Sequence, residues 1–156
     1  GDPSVMEAAM EMINEDFNLF FIHLPGGDDY GHTQGWDSPA QLENFTATDA
    51  LLKTFVEALA AKDGLKETLL IFTADHGGTR YNHGNNVPED MLIPWIAYGW
   101  QAKKVQIEKP VSTADTTPTI AWALGLPLPA SWEGSPIYEA FGNSETRQVT
   151  ECTWPN

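Results

Sequence analysis

Two short apolar runs, each ending abruptly in a loop of glycine, aspartate and histidine, constrain this chain more than any other feature. The runs are NLFFIHL (Asn18 to Leu24), closed by Pro25, Gly26 and Gly27, and TLLIFTA (Thr68 to Ala74), closed by Asp75, His76, Gly77 and Gly78. Runs of this length without polar alternation fit strands buried on both faces, the condition of a strand inside a parallel sheet covered by helices. A third strand is predicted over Met91 to Tyr98, with Pro94 placing a break or an edge in it. A weaker fourth is KVQIE, Lys104 to Glu108.

Helical patterns separate these runs. Asp2 and Pro3 read as an N-cap and a first-turn proline, and Val5, Met6, Ala9, Met12 and Ile13 follow at helical spacing. A long helix is predicted from Ser38 and Pro39, turning Leu42, Phe45, Leu52, Phe55, Val56 and Leu59 inward and stopping at Asp63 and Gly64. Thr117 and Pro118 open a short apolar helix, TIAWALG, closed by Gly125. Strands alternating with helices predict a layered α/β/α fold with a largely parallel sheet. Ligands of such sheets bind in the crevice outside the carboxyl ends of the strands, where both polar loops emerge.

Composition narrows the function classes. With 156 residues, 42% hydrophobic, six Trp and seven Phe, the chain can bury one sizeable core and not two. The formal charge of −14 repels phosphate backbones, which excludes coating of nucleic acid through basic patches, and an anionic substrate needs a local cation. No run reaches the roughly 18 to 20 uncharged apolar residues of a membrane span. The sole cysteine, Cys152, has no partner for an internal disulfide. Beyond about Phe141 the apolar periodicity is lost, and residues 142–156 read as a surface tail.

Three of the four histidines stand in the polar loops: His32 in DDYGH, His76 in TADHGG and His83 in RYNHG. Imidazole nitrogen mixed with carboxylate oxygen suits zinc and similar divalent ions, and two such ions can hold both the attacking and leaving oxygens of a phosphoryl displacement. Asp28 precedes His32 by four residues, with Asp29 as the register alternative. His23 either supports a ligand or simply ends its strand. Arg80 is the one cation within the loop clusters, and its guanidinium either pairs with a phosphate or sits at the surface. Trp36 forms either a wall of an organic leaving-group pocket or part of the core.

The block FFIHLPGGDDYGHTQGW, followed about 35 residues later by LLIFTADHGG and then by HG, resembles the metal-binding signature of the alkaline phosphatase superfamily, in its type I phosphodiesterase and nucleotide pyrophosphatase branch. The stretch VSTADTTPTIAWALGLPLPASWEGSPIYEAF is similar to a C-terminal segment shared with sulfatases. The resemblance covers about residues 1–141 and implies the C-terminal half of an alkaline phosphatase-like domain, its N-terminal half absent. It implies one divalent ion on Asp28, His32 and His83 and a second on Asp75 and His76, zinc first, with manganese, iron or calcium as alternatives. The implied activity is hydrolysis of a small phosphodiester or pyrophosphate, with sulfatase or phosphonate chemistry possible on the same scaffold, in an extracytoplasmic (periplasmic or secreted) setting.

In that family an acidic residue and a Thr or Ser nucleophile complete the second site. No threonine here stands in a matching motif, so the nucleophile is expected upstream and the isolated chain is expected to be inactive. The competing reading is a non-catalytic metal-binding fragment.

Overall fold

The computed structural model describes residues 1–62, 64–143 and 145. Most of the expected tail, with Cys152, lies outside the described residues, as does Asp63 at the expected end of the long helix. The chain divides into two compact units, Gly1–Leu65 with His76–Ile93, and Lys66–Asp75 with the chain from Pro94 onward.

The first unit is helical: α1 (Asp2–Met12), α2 (Gly26–Gln34), α3 (Pro39–Ala61) and the single turn α4 (Pro88–Met91). The start of α3 is set by Ser38, whose hydroxyl accepts from the Gln41 amide at 3.2 Å, and by Pro39 in the first turn, which needs no N–H. Phe55 and Leu59 on this helix are buried, whereas Leu42 and Phe45, expected inward, are about half exposed. Near that end α3 meets α2 through a glycine: Phe45 lies on Gly27, which has no side chain to cover the rest of the ring.

Asp2, expected as an N-cap, sits inside α1 and is 3% exposed. Its carboxylate instead accepts from the Gly26 amide (2.8 Å), the Thr48 hydroxyl (2.8 Å) and the Asn44 amide (3.4 Å), joining α1 to the start of α2 and to α3. Gln41 makes a second polar joint, donating to the Gly27 carbonyl at 2.7 Å and accepting from the Asp37 amide at 2.8 Å.

The expected strand over Asn18 to Leu24 does not form. Burial alternates along it, with Phe20, Ile22 and Leu24 half-buried while Leu19 and Phe21 are 61% and 81% exposed. That is the pleat pattern of a strand lacking a ladder, because no described strand runs beside it and strand identity is conferred by pairing. Phe20 is held by ring contacts with Phe17 and Phe55.

The second unit holds β1 (Leu69–Thr73) and β2 (Trp95–Gly99), which pair antiparallel with Leu69 opposite Gly99, Ile71 opposite Ala97 and Thr73 opposite Trp95. The fold is mixed α/β, but the described sheet has two strands and is antiparallel, not the largely parallel sheet expected. The third predicted strand starts later than expected, immediately after Pro94, which has no N–H to give to a ladder. KVQIE forms no strand, since the Val105 amide is taken by the Lys103 carbonyl in a local turn and the Lys103 amide by Ala140.

One face of the sheet, with Leu69, Trp95 and Ala97, packs on a core of Ile137, Ala140 and Phe141 joined by Trp100 and Trp122. The other face leaves Ile96 and Tyr98 half exposed. Helix α5 (Thr116–Ala123) closes at Gly125, whose φ of +68° is the left-handed conformation glycine adopts without a Cβ clash.

Candidate metal centre

Helix α2 places Asp28 and His32 one turn apart on a single face, with Asp28 Oδ1 3.4 Å from His32 Nε2. The segment His76–His83 brings two more imidazoles to the same oxygen: His76 Nε2 and His83 Nε2 each lie 3.9 Å from Asp28 Oδ1. The rings of His76 and His83 stack at 3.7 Å and 16°, and those of His32 and His83 are 5.1 Å apart.

The far nitrogens explain the orientation. His32 Nδ1 is 2.9 Å from the Tyr81 carbonyl and His76 Nδ1 is 2.8 Å from the Gly77 carbonyl. A carbonyl only accepts, so in the neutral rings the proton sits on Nδ1 and the Nε2 lone pair faces the Asp28 carboxylate. Lone pairs aimed at a carboxylate repel unless a cation stands between them, and imidazoles held by carbonyls are the usual form of ligand histidines. Four ligands at 2.0 to 2.2 Å in a tetrahedron stand about 3.3 to 3.6 Å from one another. Among the described residues, Asp28, His32 and His83 form the group whose ligand atoms all fall within 4.8 Å, so a closure of about an ångström would seat one ion. The residues present therefore fit a divalent cation.

The other candidates are distributed as follows. Asp29 is exposed, and its carbonyl accepts from the Thr33 hydroxyl at 2.7 Å. Asp75 ends the Lys66–Asp75 stretch of the second unit, while His76 belongs to the first. His23 lines an apolar groove of about 380 Å³ against α1, with Val5, Met12 and Phe20. Arg80 has an exposed side chain and a φ of +55°, and its carbonyl accepts from the Trp36 amide at 2.6 Å. Trp36 lies flat on Gly31 and Gly78, where a methyl on either would overlap the indole, and presents edges to His32 and His83 at 5.1 and 5.9 Å. It packs the flank of the imidazoles.

Asp90 is a residue that sequence reasoning missed. It is 1% exposed and its carboxylate accepts from the Thr79 hydroxyl, from the Asn85 amide at 2.8 Å and from Asn85 Nδ2 at 2.9 Å. The Thr79 hydrogen bond, with those from Asn85 and the nearby His83, holds this carboxyl below the usual range against the opposing effect of burial. Nothing in the sequence set it apart from the other acids among 22.

Relatives of this chain are named as ethanolamine phosphate transferases. It is 28% identical over 134 residues to GPI ethanolamine phosphate transferase 2 of Aspergillus fumigatus, covering 76% of this chain and 18% of that protein. It is 30% identical over 142 residues to the human GPI ethanolamine phosphate transferase 2, catalytic subunit, covering 85% of this chain and 14% of that protein. The chain thus spans under a fifth of the length of these curated relatives. No solved structure matches it. The family model of type I phosphodiesterase / nucleotide pyrophosphatase matches residues 3–111, which include Asp28, His32, Asp75, His76 and His83. The chain belongs to the type I phosphodiesterase / nucleotide pyrophosphatase family.

Proposed function

We propose that this chain serves metal-dependent phosphoester chemistry, with Asp28, His32 and His83 holding one divalent ion, zinc first among candidates, and Asp75 and His76 contributing to a second. The observation that carries this reading is the approach of three imidazole Nε2 atoms to one Asp28 oxygen. Ions bound there would polarise a phosphoryl oxygen and offset the charge of an anionic substrate that a chain of net charge −14 would otherwise repel. The chain's own part is to hold the donor atoms. The Tyr81 and Gly77 carbonyls fix two of the imidazoles, and Trp36 limits their motion from one side. Arg80 and Trp36 are proposed contacts for a small phosphoester substrate.

In this reading residues 1–141 form the C-terminal half of an alkaline phosphatase-like domain with a mostly parallel sheet, and the nucleophile comes from outside residues 1–156. The small share of the relatives' length that the chain covers supports this. Hydrolysis of a diester or pyrophosphate and transfer of the group to an alcohol differ in the acceptor alone, water or a hydroxyl. Hydrolysis is the reading that the family's name supports, and transfer is the second, supported by relatives named ethanolamine phosphate transferases.

Thermal unfolding with added zinc tests the centre. At about 100 times the dissociation constant, zinc should add about 2.7 kcal/mol of stability, and His32→Ala should remove most of the gain. A gain that survives His32→Ala places the ion elsewhere and ends this assignment. With the whole protein and a nitrophenyl phosphodiester, products formed with and without a primary alcohol separate hydrolysis from transfer.

A further inference from the structure

Between the two loop histidines and the rest of their unit stands a single buried carboxylate. Asp90 takes Thr79 and Asn85 on its side chain, and its own carbonyl accepts from the Gly77 amide at 2.7 Å. The carbonyl beside it, of Glu89, accepts from the Gly78 amide at 2.9 Å. The anchored residues immediately follow His76 and lie two beyond His83, so one short span of α4 holds both ends of the segment between the imidazoles. Thr79 is tied in turn to Asn82, amide to carbonyl in both directions, at 2.8 and 3.0 Å, and the Asn82 side chain accepts from the His83 amide at 2.9 Å. Hydrogen bonds therefore run from Asp90 to the Gly77 amide next to His76 and, through Thr79 and Asn82, to the His83 amide.

This arrangement matters because the His76 and His83 rings are stacked at 3.7 Å. His83 has no ring hydrogen bond of the kind that His32 and His76 make to carbonyls among the described contacts. The place of His83 is therefore determined chiefly by its backbone and by the flank of Trp36. Thr79 and Asn85 donate to the carboxylate and the Gly77 amide to the adjoining carbonyl, so an apolar side chain at this position would keep the last bond and lose the others.

We propose that Asp90 is a positioning residue for the metal centre, its buried carboxylate and the adjoining carbonyls clamping both ends of the His76–His83 segment so that the two imidazoles meet Asp28 in advance of the ion. This rests on the metal reading above. Residues that orient ligands without touching the metal change its affinity by about 10- to 100-fold when replaced.

The test uses the purified protein with zinc, by competition against a chromophoric chelator, and with cobalt, by visible absorption. Asp90→Ala should weaken zinc about 10- to 100-fold and alter the cobalt band, which reports ligand geometry and would not respond to a purely structural loss elsewhere. If Asp90→Ala does not fold, Thr79→Val, nearly isosteric and lacking the hydroxyl, should weaken zinc several-fold and shift the same band, while Thr79→Ser should restore both. Wild-type affinity and an unchanged cobalt band in the folded Asp90→Ala protein, or in Thr79→Val where Asp90→Ala does not fold, overturn the proposal, provided that His32→Ala still abolishes binding. Binding indifferent to His32→Ala would instead overturn the metal reading on which it rests.

Discussion

The segments that present Asp28 and the loop histidines are held by buried polar groups, whereas the sheet of the second unit rests on aromatic packing. Asp2, Gln41 and Asp90 are 3%, 1% and 1% exposed, and each collects hydrogen bonds from more than one segment. In the second unit Trp122 and Phe141 meet at 4.9 Å beside Ile137 and the sheet packs on that cluster, while buried Asp115 and Thr119 accept from the Ser135 and Ile137 amides, each at 2.9 Å. Hydrogen bonds are directional and hold atoms at set separations, while apolar burial stabilises without fixing angles. The contrast teaches that the segments presenting ligand atoms are held by the first means, and the sheet is backed by the second.

The largest expected effect lies in the aromatic core. Phe141→Ala removes a buried ring and should cost about 3 to 5 kcal/mol in chemical denaturation. A loss under about 1 kcal/mol would mean that this cluster is not what holds the second unit. A smaller loss, about 1.5 to 3 kcal/mol, is expected for Asp2→Ala, which leaves the Gly26 amide and the Thr48 hydroxyl without their acceptor. Should it equal or exceed the Phe141 effect, the ordering drawn between the two units reverses. The smallest effect is a pH dependence. Asp90 has a native pKa below its unfolded value, so it adds stability above the ordinary carboxylate value of about 3.9 and loses it as pH falls through the native value. Metal-free Asp90→Asn should lose stability less steeply than the parent below about pH 4, and parallel acid limbs would show that the ionised form is not favoured in the fold.

What was legible in the sequence follows the same division. Helix α3 announces itself through Ser38, Pro39 and its buried Phe55 and Leu59, because caps and periodicity are local. The run at Leu69–Thr73 reads correctly as a strand, but its antiparallel partner cannot be inferred from apolarity alone. Asn18–Leu24 fails as a strand for the related reason that pairing is a property of neighbours. Helix α2 was hidden, since GGDDYGHTQ carries three glycines and reads as a loop, yet the spacing of Asp28 and His32 already matched one helical turn. The approach of His76 and His83 to Asp28 is accompanied by contacts of Asp90, Trp36 and Arg80 that are tertiary and leave no local mark.

The glycines of α2 also make its helical form depend on its neighbours. Three glycines in a nine-residue helix cost about 1 kcal/mol each relative to alanine, and helices shorter than about 12 to 15 residues are marginal alone. Helix α2 therefore does not persist in the nascent chain. In the fold it is supported by Asp2 on the Gly26 amide, by Phe45 on Gly27 and by Trp36 on Gly31. The face shared by Asp28 and His32 therefore rests on contacts that only the folded chain has, so an ion that grips both residues there stabilises the fold.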